Sequence, residues 1–223
     1  MAQYTERELK NATQVAYADL ERLRRYLGLG SGVTIGELME ATENVFGITK
    51  KNWEKEDKKR DAQEIHLTNI WQIKYAENTT DWEQIKNWKI VDHFDANEET
   101  GFYGCLIDLG DGRAIIGFRG SESYNSTQFV NDWVNADFGL LWETVTKQHQ
   151  SVEEFMNQIA RKIENGEYGF EHLATSGHSL GGNLAFHAAV ISADMDGLDI
   201  EQAANLDGPG MSEEYIQKYA AEI

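Results

Sequence analysis

Residues His172–Ala189 read HLATSGHSLGGNLAFHAA. Within them lies Gly177-His178-Ser179-Leu180-Gly181-Gly182, a G-x-S-x-G motif with one further glycine. Leu173-Ala174-Thr175-Ser176 leads in and suits a buried strand. Leu180 to Val190 leads out, rich in Ala and Leu and free of Pro, and suits a helix. A strand, a sharp turn and a helix are the setting in which a serine is presented as a nucleophile. The spacing predicts Ser179 at the strained tip, with Gly177 and Gly181 flanking it because side chains there would clash across the turn. The first helix amides would face the same cleft, where the helix dipole favours negative charge.

Outward from this stretch, Arg113-Ala114-Ile115-Ile116-Gly117-Phe118-Arg119-Gly120-Ser121 reads as an apolar strand running into a polar loop. Asn131-Asp132-Trp133 and Asp137 follow. On the far side, Asn205-Leu206-Asp207-Gly208-Pro209-Gly210 reads as a strand end and turn. GHSLGG together with FRGS in this order resembles the class 3 (fungal-type) lipases, and the resemblance covers roughly Asn87 to the C-terminus. It implies an α/β-hydrolase-type fold, a mixed sheet flanked by helices. It further implies that the Ser121 amide supplies part of an oxyanion hole, and that a lid lies near this region, with Phe138, Leu140, Leu141 and Trp142 as a candidate apolar lid face, the alternative being ordinary packing. The Trp133–Asp137 spacing is one residue longer than the family pattern.

The chain has 223 residues and a formal charge of −18. That charge excludes phosphate-backbone recognition, so no nucleic-acid partner is expected. It also opposes electrostatic docking on anionic membranes. No apolar run approaches the length that spans a bilayer, so no integral membrane segment is expected. The N-terminus, MAQYTERELK, has no apolar core of a Sec signal peptide, which implies a cytoplasmic protein or one exported by a signal-less route. Cys105 is the one cysteine and lies in an apolar run, as a core residue would. No histidine pair has metal-site spacing, so neither a metal nor a cofactor is expected.

Two regions are expected: an N-terminal helical region, 1–86, and an α/β domain, 87–223. Thr5 to Leu27 reads as one amphipathic helix, with Leu9, Ala12, Ala16, Leu20, Leu23 and Leu27 on one face. Thr34 and Glu37 form a capping-box pattern for a helix to Phe46. Lys50–Glu64 mixes both charge signs and reads as a solvated face. Trp71, Tyr75, Trp82 and Trp88 read as packing onto the next region, the alternative being an acyl-binding surface. Trp88–Phe94, Phe102–Leu109 and Arg113–Phe118 read as strands, the last two joined by a Gly110-Asp111-Gly112 turn. Thr127–Leu141 and Val152–Ile163 read as helices, Ala203–Leu206 as a strand and Met211–Ala221 as the start of a helix.

The chemistry this pattern supports is attack of the Ser179 hydroxyl on a carboxylic or lipid-type acyl ester. The Leu180 and Ser121 amides would stabilise the oxyanion. A serine needs a base, and no histidine follows His187. His66, His93 and His149 read as isolated. By the resemblance, the acid and histidine lie beyond Ile223, in a further C-terminal portion of the chain. Asp207 is the best acid within it, the alternative being a structural role, since it aligns with the turn before the family's usual acid. The alternatives are a non-catalytic binding module that keeps the elbow, and a hydrolase of thioesters or small esters.

Overall fold

The structure is a computed structural model that describes residues 4–59, 65–120 and 138–223, the last with side chains from residue 147 on. Six helices come first: α1 (Glu6–Ala16), α2 (Leu20–Tyr26), α3 (Ile35–Phe46), α4 (Trp53–Lys58), α5 (Thr68–Tyr75) and α6 (Thr80–Ile85). Strand β1 (Lys89–Ala96), the short α7 (Asn97–Thr100), β2 (Phe102–Asp108) and β3 (Arg113–Phe118) follow. The chain continues through α8 (Phe138–Glu164), β4 (His172–His178), α9 (Leu180–Ser192), β5 (Ile200–Leu206) and α10 (Glu213–Lys218).

The five strands lie in chain order in one mixed sheet. β1, β2 and β3 are antiparallel neighbours, whereas β3, β4 and β5 run parallel. Parallel neighbours need a crossover, and α8 and α9 provide the two. Side chains alternate along the central strands. Leu106, Ala114, Ile116 and Phe118 face a core built with Phe155, Ile159, Leu184 and Ala188 of α8 and α9. Cys105, Ile107 and Ile115 face the opposite way, into a core shared with Leu9, Ala12, Val15 and Ala16 of α1. The result is three layers, helices on both faces of the sheet, because strands apolar on both faces require cover on both.

The N-terminal helices are thus one of the two helical layers. Tyr4 donates to the Ala114 carbonyl. Arg113 forks onto Glu8, Nη2 to Oε1 at 2.7 Å, which holds the Glu8 carboxyl below its usual range despite its burial. Thr13 and Ser176 share a hydroxyl contact of 2.7 Å between α1 and β4. Trp71 and Trp88 are buried in the same layer, so packing, not an acyl-binding surface, accounts for these two rings.

The expected single helix over Thr5–Leu27 is broken into α1 and α2. The break follows from tertiary contacts: Asp19 accepts from the His66 amide at 2.8 Å and from Arg119 Nη2 at 3.0 Å, and Arg119 Nε donates to the Ala16 carbonyl at 2.9 Å. A buried guanidinium, 2% exposed, needs those acceptors, and the chain turns at Tyr17–Asp19 to supply them. The Thr34–Glu37 capping box is present in both directions. Val152–Ile163 is the C-terminal part of the longer α8. The strand expected at Ala203–Leu206 begins at Ile200, and the helix expected over Met211–Ala221 is confined to Glu213–Lys218. Cys105 is fully buried, and burial pushes its thiol up to about 12, so it is inert.

Ser121, the loop to Asn125, Asn131, Asp132, Trp133 and Asp137 lie outside the described residues, as do the side chains of Phe138, Leu140, Leu141 and Trp142.

Candidate functional site

β4 ends at His178 and α9 begins at Leu180, so Ser179 is the whole of the connection. Its backbone sits at φ 56°, ψ −131°, which L-residues occupy only under strain. The turn is held from both sides. The Ser179 amide donates to the Leu206 carbonyl of β5, and the Gly182 amide donates to the Ser179 carbonyl, each at 2.9 Å. Three glycines are required here by close approach. A Cβ on Gly177 would lie inside the Gly181 carbonyl and 2.9 Å from the Gly182 nitrogen. One on Gly181 would strike the Phe118 carbonyl, and one on Gly182 the Asn205 side chain.

Ser179 occupies the N-cap of α9, where a serine ordinarily accepts a hydrogen bond from an amide of the first turn. It makes no such bond. The side chain is half-buried. Leu180 is the first helical residue, so its amide has no acceptor within the helix. A serine without a capping bond and a helix-terminal amide are thus adjacent residues at this junction.

The end of β3 forms the neighbouring wall. Gly120 packs so closely against the elbow that an added Cβ would lie 2.7 Å from the His178 carbonyl and 2.5 Å from the Tyr17 hydroxyl. Tyr17 Oη accepts from the Gly120 amide at 3.0 Å and donates to the His178 carbonyl at 3.2 Å. Arg119, part of the FRGS run, points away into the N-terminal layer and lies 4.3 Å from the Tyr103 ring centroid.

Asp207 follows Leu206, the β5 residue whose carbonyl accepts from the Ser179 amide. It is exposed, with φ 53°. Among the described residues its carboxylate has no histidine partner. The adjacent turn is tied down by the Gly208 amide on Asn205 Oδ1 at 2.8 Å.

His149 is not isolated, contrary to the sequence expectation. Its ring stacks on His187 with centroids 4.0 Å apart. Its Nε2 lies 2.8 Å from Asn183 Oδ1, and since that oxygen only accepts, the proton is on Nε2. Asn183 is one turn along α9 from Ser179 and donates from Nδ2 to the Pro209 carbonyl at 3.3 Å. His187 Nδ1 lies 2.6 Å from the Tyr215 hydroxyl of α10. Among the described residues its Nε2 is buried without a hydrogen-bond partner, 3.8 Å from a Glu153 oxygen. Burial first, then His149 and Lys218, lower the His187 pKa to about 3; burial lowers that of His149 as well. Both rings line an open groove of about 910 Å³ with Tyr215 and Tyr219. His187 stands eight residues from Ser179 on α9, about 12 Å by helical rise, too far to take its proton. No sequence spacing pairs residues 149 and 187; the packing of α8 on α9 does.

Of the remaining histidines, His172 contacts Glu201, and His178 lies edge-on to Tyr17 with ring centroids 6.2 Å apart. Among the described residues, no group of three or more His, Cys, Asp or Glu side chains is placed to hold a metal ion. Among them, too, no helix is long and apolar enough to cross a membrane.

The fold and site define a mixed three-layer α/β protein with a strained, uncapped serine at a strand–helix junction. The model of the Mbeg1-like family matches residues 76–222, well over half of the chain, and the chain belongs to that family. This corrects the resemblance to class 3 lipases: the matched family is distinct from them, and no lipase family matches. The reason is legible in the geometry. The glycines of GHSLGG are demanded by the turn itself, so the motif reports an elbow and not a lineage. No curated protein and no solved structure matches the chain.

Proposed function

We propose that this protein is a serine hydrolase that cleaves carboxylic esters, on an α/β-hydrolase-type scaffold, with Ser179 as nucleophile and the Leu180 amide as an oxyanion donor. The observation that carries the reading is the state of Ser179: φ 56° at an N-cap position, with a hydroxyl that does not cap its helix. A strained backbone at a functional tip is kept only where the surrounding structure enforces it, and here the glycine contacts and the Leu206 bond do so. In this reading Ser179 Oγ attacks the ester carbonyl, the oxyanion lies toward the first turn of α9, and the alcohol leaves to give an acyl-serine that water hydrolyses. Ser121 remains the proposed second oxyanion donor. Asp207 remains the proposed acid.

The reaction needs a base. His149 and His187 are engaged with one another, His172 with Glu201, and His178 faces Tyr17. The reading calls for a base other than these four rings. The same observation favours a second reading, a non-catalytic binding module that keeps the elbow. A fluorophosphonate probe separates the two. Labelling that maps to Ser179 and disappears in Ser179→Ala is the expected result. Equal silence from wild type and variant, with and without added imidazole as a substitute base, would leave the binding module.

A further inference from the structure

We infer that Tyr17, on the N-terminal helical layer and outside the matched residues 76–222, is a positioning residue for the Ser179 site; the inference rests on the serine-hydrolase reading. Its hydroxyl bridges the two walls of the elbow, accepting from the Gly120 amide at 3.0 Å and donating to the His178 carbonyl at 3.2 Å. The first bond fixes the Arg119–Gly120 peptide at the end of β3. The second fixes the peptide that enters Ser179. Both donor and acceptor roles of the hydroxyl are used, so neither bond forms without orienting the other.

The position of Tyr17 is itself rigid. It follows α1 directly as its C-cap. Arg119 Nε holds the Ala16 carbonyl just before it, and Arg119 Nη2 holds Asp19 just after it. α1 is pinned to β4 by Thr13 and Ser176 at 2.7 Å. The tie therefore transmits the placement of a packed layer to the elbow. What it sets is the gap between Gly120 and the first turn of α9, where an added Cβ on Gly120 would lie 3.3 Å from the Gly181 nitrogen. The approach of an ester carbonyl to Ser179 and the aim of the Leu180 amide both depend on that gap. A misplacement of about 1 Å at a reacting centre costs on the order of a hundredfold in rate.

Tyr17→Phe keeps the ring and its edge contact with His178 while removing both bonds. The test compares wild type, Tyr17→Phe and Ser179→Ala in the full chain. Two quantities are read: hydrogen exchange at the Gly120 amide, and the rate of Ser179 labelling as a function of fluorophosphonate concentration. The expected result is loss of Gly120 protection in Tyr17→Phe, with a maximal labelling rate lower by about tenfold to a hundredfold. The half-saturating probe concentration stays within about twofold, since the change affects alignment and not probe binding. If Gly120 protection is unchanged, or if it is lost while the maximal rate stays within about twofold of wild type, the positioning role is wrong and the hydrolase reading stands. If wild type is as silent as Ser179→Ala, the hydrolase reading fails and the inference goes with it, even where Tyr17→Phe still exposes the Gly120 amide.

Discussion

The strain at Ser179 is measurable without any substrate. Its φ of 56° and ψ of −131° lie outside the left-handed helical window and near a region used freely only by glycine, at a cost of about 1–3 kcal/mol for any other residue. Replacing Ser179 by Ala removes the hydroxyl and keeps the Cβ, so it keeps the strain. Replacing it by Gly removes the strain, while glycine's extra freedom in the unfolded chain returns about 0.5–1 kcal/mol of that gain. The serine caps nothing, so no capping bond is lost in either variant. Ser179→Gly is therefore expected to be more stable than Ser179→Ala by about 1 kcal/mol, within a range of roughly 0–2.5 kcal/mol. For a chain of this size that is about 2–4 °C in melting temperature. Thermal and urea unfolding of the two variants side by side give the answer. A Ser179→Gly protein clearly less stable than Ser179→Ala would refute the argument, since it would mean that the backbone at residue 179 does not hold the conformation on which the nucleophile reading depends.

Two further outcomes follow from the same contacts. Gly177→Ala is expected to lower stability by about 1–3 kcal/mol or more, because its Cβ meets backbone atoms of Gly181 and Gly182 that no rotamer change can move. It is also expected to slow Ser179 labelling at least a hundredfold; melting and probe kinetics read both. His187 gives a pH dependence. Its ordinary pKa of 6.5 falls to about 3 in the fold, so between those values the unfolded chain binds a proton that the folded ring refuses. Stability is then fully present above pH 6.5 and declines as the pH falls toward 3, by up to about 2 kcal/mol between pH 7 and pH 5. His187→Phe should flatten this part of the curve, and an unchanged slope in the variant would show that the ring does not carry it.

Much of the local structure was legible in the sequence because it rests on local causes. The edges of β3 follow from its apolar run and flanking polar residues. Capping at Thr34 needs only Glu37 three residues on. The crowding at Gly177 and Gly181 follows from the geometry of a strand–turn–helix passage. The same local origin explains why the motif misled about family: a turn that steric contact dictates recurs wherever such a turn is built.

Tertiary structure decided the rest, because the partners are distant in the chain and their pairing leaves no periodic trace. Arg119 reads in sequence as part of an oxyanion-strand motif, yet its buried charge is satisfied by Ala16 and Asp19 about a hundred residues earlier, and that requirement breaks the N-terminal helix. His149 and His187 meet because α8 packs on α9. Tyr17 reaches the elbow because α1 covers one face of the sheet. Sequence alone determined the elbow, since backbone sterics act within a few residues. Only the fold decided what surrounds it, since desolvated charges and hydroxyls take whichever partners the packed layers bring within reach.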